Sequence, residues 1–322
     1  MAAKVRRVAR HSSKFVVLAA VVGNLLVAAT KFAASVLTGS SAMLSEGVHS
    51  LVDTGNELLL LYGMRRSTAR PDRLHPLGYG RELYFWCFVV AILVFALGAG
   101  VSIYEGVARL ADPAPVENPR LVYAVLAFSA LFDGASWLIA LRSFRAERPG
   151  VGLLQAVRES KDPPTFMVLF EDSAALIGLA VAFLGTFLSS SLERPEFDGA
   201  ASILIGFVLA GTAFALARET KDLLIGEAAD ADAIAEILRV AEGVNGVDGA
   251  NGALAVHLAP DQILVALSVE FSDALTAPQI EACVVEIERR VRDESPEVVT
   301  LFVKPQTGAG WRAAYERRFG GA

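Results

Sequence analysis

The chain has 322 residues, a formal net charge of −6 and 54% hydrophobic residues, which lie in long uninterrupted blocks. Such blocks exclude a disordered chain and a single soluble globule, and the negative charge argues against a nucleic-acid partner. The two cysteines, Cys87 and Cys283, provide neither a disulfide framework nor a cysteine-based zinc site.

Six stretches are apolar enough to cross a bilayer, for which about 20 residues are needed. They are Phe15–Leu37, Ala42–Tyr62, Leu83–Ala108, Leu121–Leu141, Phe166–Leu188 and Ala200–Ala217. The first is predicted to be a span rather than a cleaved signal peptide, because its apolar run is long and a second span follows after a short turn. The chain is therefore predicted to be an integral, multi-pass protein of the lipid bilayer.

Basic residues in short loops predict the orientation, because they favour the cytoplasmic side of a membrane. Lys and Arg concentrate in residues 1–14 and in the loops after the second and fourth predicted spans, whereas the alternate loops hold few. Both termini are therefore predicted to be cytoplasmic. The Ala-rich, Cys-poor composition favours the inner membrane of a bacterium.

The charge distribution predicts a second domain after the spans. Residues 1–221 carry 21 basic and 18 acidic side chains, whereas residues 222–305 carry 5 basic and 16 acidic ones. This change predicts a boundary near residue 221, between a six-helix transport domain over 15–221 and a cytoplasmic domain over 222–305. Residues 1–14 form a cytoplasmic tail in this interpretation.

The second domain is predicted to be a small two-layer α+β domain of the order αββαβ, which is ferredoxin-like. Its elements are a helix after Asp230 or Asp232, a turn-rich segment over 243–252, strands at 253–258 and 263–271, a helix after the capping box of Thr276 and Gln279, and a strand at 298–303. Residues 306–322 are Gly-rich and are predicted to be a flexible tail.

Ionisable side chains inside the predicted spans are the strongest functional signal. They are His49, Asp53, Asp133, Glu171 and Asp172, with Lys31, Glu46, Glu57 and Glu105 nearer the span ends, where water is easier to reach. A charge at the bilayer centre costs about 2.5–3.5 kcal/mol on insertion scales. Such groups are expected to face the bundle interior, to pair with one another or to bind an ion.

His49 and Asp53 are four residues apart and so share one face of a helix. An imidazole and a carboxylate at this spacing can chelate one divalent cation, although the two side chains can also simply satisfy each other. Asp172, with or without Glu171, is the candidate that completes a metal site from the fifth span. Asp133 is either a buried hydrogen-bonding residue or a participant in transport.

These residues resemble the cation diffusion facilitator family of divalent-metal transporters over about residues 12–305. The resemblance lies in Asn24, Lys31, residues 38–41, residues 45–53, the H-P-x-G-x-G sequence at 75–80, and residues 198–203. Residues 161–163 and 169–175 are most similar to the branch that includes zinc transporter nine. The family layout implies six spans, a cytoplasmic αββαβ domain and a homodimer.

The resemblance also implies a four-ligand site in the membrane, with one i, i+4 pair on the second span and one on the fifth. His49 and Asp53 match the first pair, and Asp172 matches one position of the second pair. The remaining position is Val168, which cannot bind a metal. The possible substitutes are Glu171, Ser45, Asn56 or water.

The resemblance implies that two further metal sites can occur in such a protein. Asp72 and His75 match the D-x-x-H spacing of a site in the loop after the second span, and the alternative is a structural histidine at the membrane surface. The second domain offers only His257 toward the family's histidine-based cluster. No metal cluster is expected there, and the domain is expected to serve dimerisation.

The resulting hypothesis is a transporter that moves a divalent cation, zinc first, out of the cytoplasm in exchange for protons. No enzymatic activity and no cofactor are predicted. Because Val168 replaces one ligand, cobalt, iron, nickel and manganese remain alternatives. The rival classes are a secondary transporter for another solute, and a membrane-embedded enzyme, scaffold or sensor that does not transport.

Overall fold

The computed structural model describes residues 2–38, 41–113, 119–147, 150 and 152–320. Side chains at 2–12, 34–35, 37–38, 41–49, 147, 154 and 158 lie outside this description. The chain forms two compact units, Met1–Ala69 with Glu82–Asp222, and Arg70–Arg81 with Leu223–Ala322.

The first unit is helical. Its helices are α1 Ala2–Thr38, α2 Ser41–Arg66, α3 Glu82–Leu93, α4 Gly100–Ala111, α5 Pro119–Glu147, α6 Leu153–Glu159, α7 Pro163–Leu192 and α8 Glu196–Ile225. A π-helical segment, Val94–Ala99, joins α3 to α4. The sequence predicts neither this π-helical segment nor the short helix α6. The π-helical segment continues the apolar pattern of the helices on either side, and α6 has the same polar composition as the loop that contains it.

Five helical segments of the described chain are long and apolar enough to cross a membrane. They are Ser13–Ala33, Glu82–Ala111, Pro119–Ala146, Pro163–Leu192 and Glu196–Ile225. They confirm the predicted multi-pass membrane architecture. The second predicted span lies in α2, which is not one of the five, so that the number six stays a prediction.

The helices pack through both long and small side chains. Helix α1 packs against α2, α5 and α7, and α5 packs against α7. Small residues bring α4 and α8 together, since a Cβ atom added at Gly106 would lie 2.8 Å from the carbonyl oxygen of Gly199. Large apolar side chains such as Phe207 and Phe214 remain exposed on α8, as expected for surfaces that face lipid.

The second unit contains a three-stranded mixed sheet with helices. Its elements are α9 Ala231–Glu242, β1 Val247–Ala259, β2 Gln262–Phe271, α10 Ala277–Glu294, β3 Val298–Pro305 and α11 Gly308–Phe319. The strand order is β1-β2-β3, with β1 antiparallel and β3 parallel to β2. Buried side chains such as Ile237, Leu267 and Ile287 form the core between α9, α10 and the sheet. The predicted capping box of Thr276 and Gln279 is present at the start of α10.

Two local predictions for this unit are corrected. The turn-rich segment over 243–252 contains the start of β1, which begins at Val247 and has register shifts beside Gly249 and Gly252. These irregularities interrupt the two-residue alternation by which a strand is recognised. The predicted flexible tail over 306–322 contains α11, with Thr307 Oγ1 accepting a hydrogen bond from the amide of Gly310 at 3.2 Å.

Helix α11 packs closely against strand β1 where the Trp311 ring lies over Gly252. A Cβ atom at Gly252 would lie 2.6 Å from the Trp311 ring, whereas a Cβ atom at Gly249 would meet nothing within 4 Å. Overpacking of this kind costs about 1–3 kcal/mol. Gly252→Ala should therefore detach α11 and speed tryptic cleavage after Arg312 by about tenfold.

The matched control is Gly249→Ala, which lies on the same strand and should leave the cleavage rate unchanged. Equal cleavage rates in the two variants, measured by mass spectrometry of a tryptic time course, would show that Trp311 does not hold the helix in place.

Candidate ion-binding site

Carboxylates from three helices meet inside the helical unit. Asp53 on α2 interacts electrostatically with Glu57 on the same helix, with Asp133 on α5, and with Glu171 and Asp172 on α7. We call these five residues the carboxylate cluster. Each of the other four carboxylates interacts electrostatically with Asp53. A change of charge at Asp53 therefore alters the electrostatic energy of all four.

The α2 side of the cluster is buried and fixed by α1. Glu57 is 2% exposed, and its Oε1 accepts a hydrogen bond of 2.7 Å from Asn24 Nδ2. Its second oxygen, Oε2, is buried and has no hydrogen-bond partner in the described part of the chain. Asn56, a predicted substitute ligand, is also buried. The sequence already places Glu57 on the same helix stripe as His49 and Asp53, at i+4 from Asp53.

The α7 side of the cluster lies deep in its helix. Helix α7 begins at Pro163, three residues before the predicted span, so Glu171 and Asp172 lie more than two turns from its start. Asp172 is 7% exposed. Glu171 Oε1 and Asp172 Oδ2 are buried without hydrogen-bond partners among the described residues. Val168, at the position where the family has a ligand, is 1% exposed and so belongs to the packed interior.

A positive charge accompanies these carboxylates. Lys31 on α1 is buried, donates a hydrogen bond of 3.0 Å to Ser50 Oγ and interacts electrostatically with Asp133. The sequence predicts Lys31 near the end of its span. The packing of α1 against α2 and α5 instead brings its ammonium group to the cluster, which offsets part of the negative charge.

The other predicted ligands of this site are only partly described. His49 and Ser45 belong to helix α2, but their side chains lie outside the described residues. Asp53, Glu171 and Asp172 are brought together, as the electrostatic interactions above show. Among the described residues, no three His, Cys, Asp or Glu side chains are already arranged to hold a metal ion. The assignment of ligands therefore stays a prediction.

The loop between α2 and α3 brings Asp72 and His75 together in a different environment. The Asp72 carboxylate accepts hydrogen bonds from the amides of Leu74 at 2.9 Å and His75 at 2.7 Å, and from the Tyr79 hydroxyl at 2.6 Å. His75 Nδ1 lies 3.6 Å from Asp72 Oδ1. The Tyr79 hydrogen bond, followed by that of the His75 amide, holds the pKa of Asp72 below its usual value. These hydrogen bonds are consistent with a structural role for Asp72 and His75 in the loop. A metal site there stays a prediction.

His257 in the second unit lies on β1 and is buried. Its Nδ1 lies 3.2 Å from the carbonyl oxygen of Ala259, across the turn that leads into β2. This contact gives the histidine a role within the hairpin.

Apolar helices of membrane-spanning length around buried acidic side chains define an integral membrane protein. A sequence model described as the cation efflux transmembrane domain matches residues 17–225. The chain belongs to the cation efflux family, which consists of transporters rather than enzymes, and this confirms the resemblance to the cation diffusion facilitators.

Individual relatives agree with this assignment. Metal tolerance protein C4 of Arabidopsis thaliana is 31% identical over 251 residues, which cover 77% of this chain and 55% of that protein. The human mitochondrial proton-coupled zinc antiporter SLC30A9 is 32% identical over 258 residues, covering 80% of this chain and 45% of the antiporter. The chain thus spans about half the length of these two relatives. The putative transporter MamV of Paramagnetospirillum magneticum is 23% identical over 304 residues, which are 90% of this chain and 83% of MamV.

The hydrogen bonds of Asp72 generate a pH-dependent prediction for the loop over 70–81. Because the pKa of Asp72 is lowered in the folded chain, its contribution to loop order is present above the usual aspartate pKa of about 3.9 and is lost as the pH falls through the folded value. Tyr79→Phe removes the hydrogen bond that lowers the pKa of Asp72 most. The loop should therefore lose protection from hydrogen exchange at a higher pH in this variant than in the wild type.

Hydrogen–deuterium exchange of residues 70–81 across the acidic range, corrected for intrinsic exchange, measures this midpoint. Tyr315→Phe makes the same chemical change on α11 and should leave the midpoint where it is. An unchanged midpoint in Tyr79→Phe would mean that the phenol does not stabilise the ionised carboxylate.

Proposed function

We propose that the chain exports a divalent cation, zinc first, from the cytoplasm in exchange for protons. His49, Asp53 and Asp172 are the principal ligands, with Glu171 as a fourth. The observation that carries the proposal is the burial of acidic side chains in the helical unit: Glu57 and Asp172 are 2% and 7% exposed, and one oxygen each of Glu57, Glu171 and Asp172 is buried without a hydrogen-bond partner among the described residues. An interior of this kind is costly in a membrane and indicates an ion pathway.

Charge favours a divalent cation over other substrates. The carboxylate cluster, Asp53, Glu57, Asp133, Glu171 and Asp172, carries more negative charge than Lys31 can offset. A dication placed among the carboxylates relieves their mutual repulsion and supplies a partner to oxygens that lack hydrogen bonds. Imidazole and carboxylate ligands suit zinc, and they also suit cobalt, iron, nickel and manganese. The name of the human relative supports zinc as the first choice.

The same charges supply a reason for proton exchange. Metal ligands must be deprotonated, so that binding of the ion releases protons and protonation releases the ion. A histidine such as His49 changes charge near neutral pH and can take part in that exchange. When the ion leaves, protons are the remaining means of neutralising the carboxylate cluster. The proton-coupled antiporter among the relatives supports this step.

The distribution of basic residues and apolar blocks supports the proposed arrangement in the membrane. Helix α2 is the second of six spans, both termini are cytoplasmic, and the ion moves out of the cytoplasm. The second unit is a ferredoxin-like domain extended by α11, and it mediates the formation of a homodimer. The basic loops support the orientation, and the composition favours a bacterial inner membrane, whereas the human relative is named as mitochondrial.

Asp53→Asn provides the direct test of the proposal. The substitution preserves the size of the side chain but removes the negative charge at the centre of the proposed site. Zinc flux into proteoliposomes, and the pH change that accompanies it, should therefore fall to the level of empty vesicles. Flux is read with a zinc-sensitive dye and proton movement with a pH-sensitive dye.

Glu105→Gln is the matched control, since it removes a carboxylate from α4, outside the carboxylate cluster, and should transport normally. Wild-type zinc flux in Asp53→Asn would exclude the site. Normal zinc flux with no pH change in the wild type would exclude proton exchange while leaving zinc transport in place.

A further inference from the structure

We propose that Glu57 is an additional ligand of the transported cation and replaces the ligand that Val168 cannot supply. This inference rests on the proposed function. The substrate is the same divalent metal ion, bound by Glu57 together with His49, Asp53 and Asp172. Glu57 thereby adds a second carboxylate from α2 to the ligands of the proposed function.

The position of Glu57 on its helix is the first argument. Glu57 follows Asp53 by four residues, so the two carboxylates project from the same face of α2 about 6 Å apart along the axis. Glu57 interacts electrostatically with Glu171 and Asp172 of α7 as well as with Asp53. Glu57 therefore lies on the Asp53 face of α2 and is near enough to the α7 carboxylates to interact with them.

The orientation of the carboxylate is the second argument. Asn24 Nδ2 donates to Oε1 at 2.7 Å, which fixes one oxygen, while Oε2 is buried without a hydrogen-bond partner among the described residues. Metal-binding carboxylates are commonly held in this way, with an outer donor on one oxygen and the ion on the other. Asn24 is thus a positioning residue for Glu57.

The cost of burial is the third argument. A carboxylate that is 2% exposed with an unsatisfied oxygen is destabilising unless something else compensates it. Glu171 Oε1 and Asp172 Oδ2 of α7 are likewise buried without a hydrogen-bond partner among the described residues. A dication that draws these oxygens together compensates all of them at once, whereas packing alone would favour an apolar residue at position 57.

A purely structural role for Glu57 makes a different prediction. If Glu57 only accepts the hydrogen bond from Asn24, then glutamine, which has the same shape and an amide oxygen in the same place, would serve equally well. If Glu57 binds the ion, glutamine loses the negative charge and weakens binding. The substitution Glu57→Gln therefore separates the two roles without creating a cavity.

The experiment measures zinc binding to the purified full chain in detergent by titration calorimetry. Glu57→Gln should weaken zinc affinity by at least about tenfold, and Asn24→Ala by about tenfold through loss of positioning. Glu105→Gln, which removes a carboxylate outside the carboxylate cluster, should bind zinc as the wild type does. Gel filtration and thermal unfolding establish that each variant is folded.

The outcomes separate this inference from the proposed function. Wild-type affinity in Glu57→Gln, with weak binding in Asp53→Asn, would overturn the role of Glu57 and leave the exporter in place. Wild-type affinity in both variants would overturn the site as a whole.

A second variant keeps the inference testable if the glutamine variant does not fold. Glu57→Cys places a thiolate at the proposed coordination position, so that added cadmium should produce the ultraviolet absorption of a cadmium–thiolate bond. Glu105→Cys and the wild type, which share Cys87 and Cys283, supply the background. Absence of added absorption in Glu57→Cys would exclude residue 57 from the ion's coordination sphere.

Discussion

Mutual repulsion among buried carboxylates is the constraint on which the helical unit depends. Charges interact more strongly in the low dielectric of a protein interior than in water. Asp53 interacts electrostatically with four other carboxylates from α2, α5 and α7. The buried ammonium of Lys31 offsets one of these charges. The remainder require a cation or protons, and this requirement connects the packing of the helices to the transport of ions.

The packing of α1 determines how that negative charge is presented. Asn24 and Lys31 form hydrogen bonds to Glu57 and Ser50, so α1 holds α2 at two levels. At the end of α2, Arg66 pairs with Glu82 at the start of α3, with Nη2 and Oε1 2.8 Å apart. These polar contacts fix the rotation of α2, and a helix fixed in this way directs the Asp53 face toward the other carboxylates.

The second unit has a different physical basis, a conventional apolar core between its sheet and helices α9 and α10. The loop over 70–81 packs with this unit, since a Cβ atom at Gly80 would lie 2.8 Å from the carbonyl oxygen of Leu258. Gly78, with a φ of +82°, allows the left-handed turn in the same loop. The glycines of the H-P-x-G-x-G sequence therefore have local structural reasons in addition to any role in ion binding.

The sequence by itself determined the features that depend on composition and periodicity. Long apolar blocks predicted the membrane helices, the capping box of Thr276 and Gln279 predicted the start of α10, and the residues of the second and fifth spans indicated the family. Only the tertiary structure decided which polar residues meet. Lys31 lies near the carboxylate cluster because α1 packs against α2, α5 and α7, and α11 lies against β1 through the contact of Trp311 with Gly252. Contacts between helices distant in the chain leave no local pattern, since the spacing within one helix does not specify its neighbours.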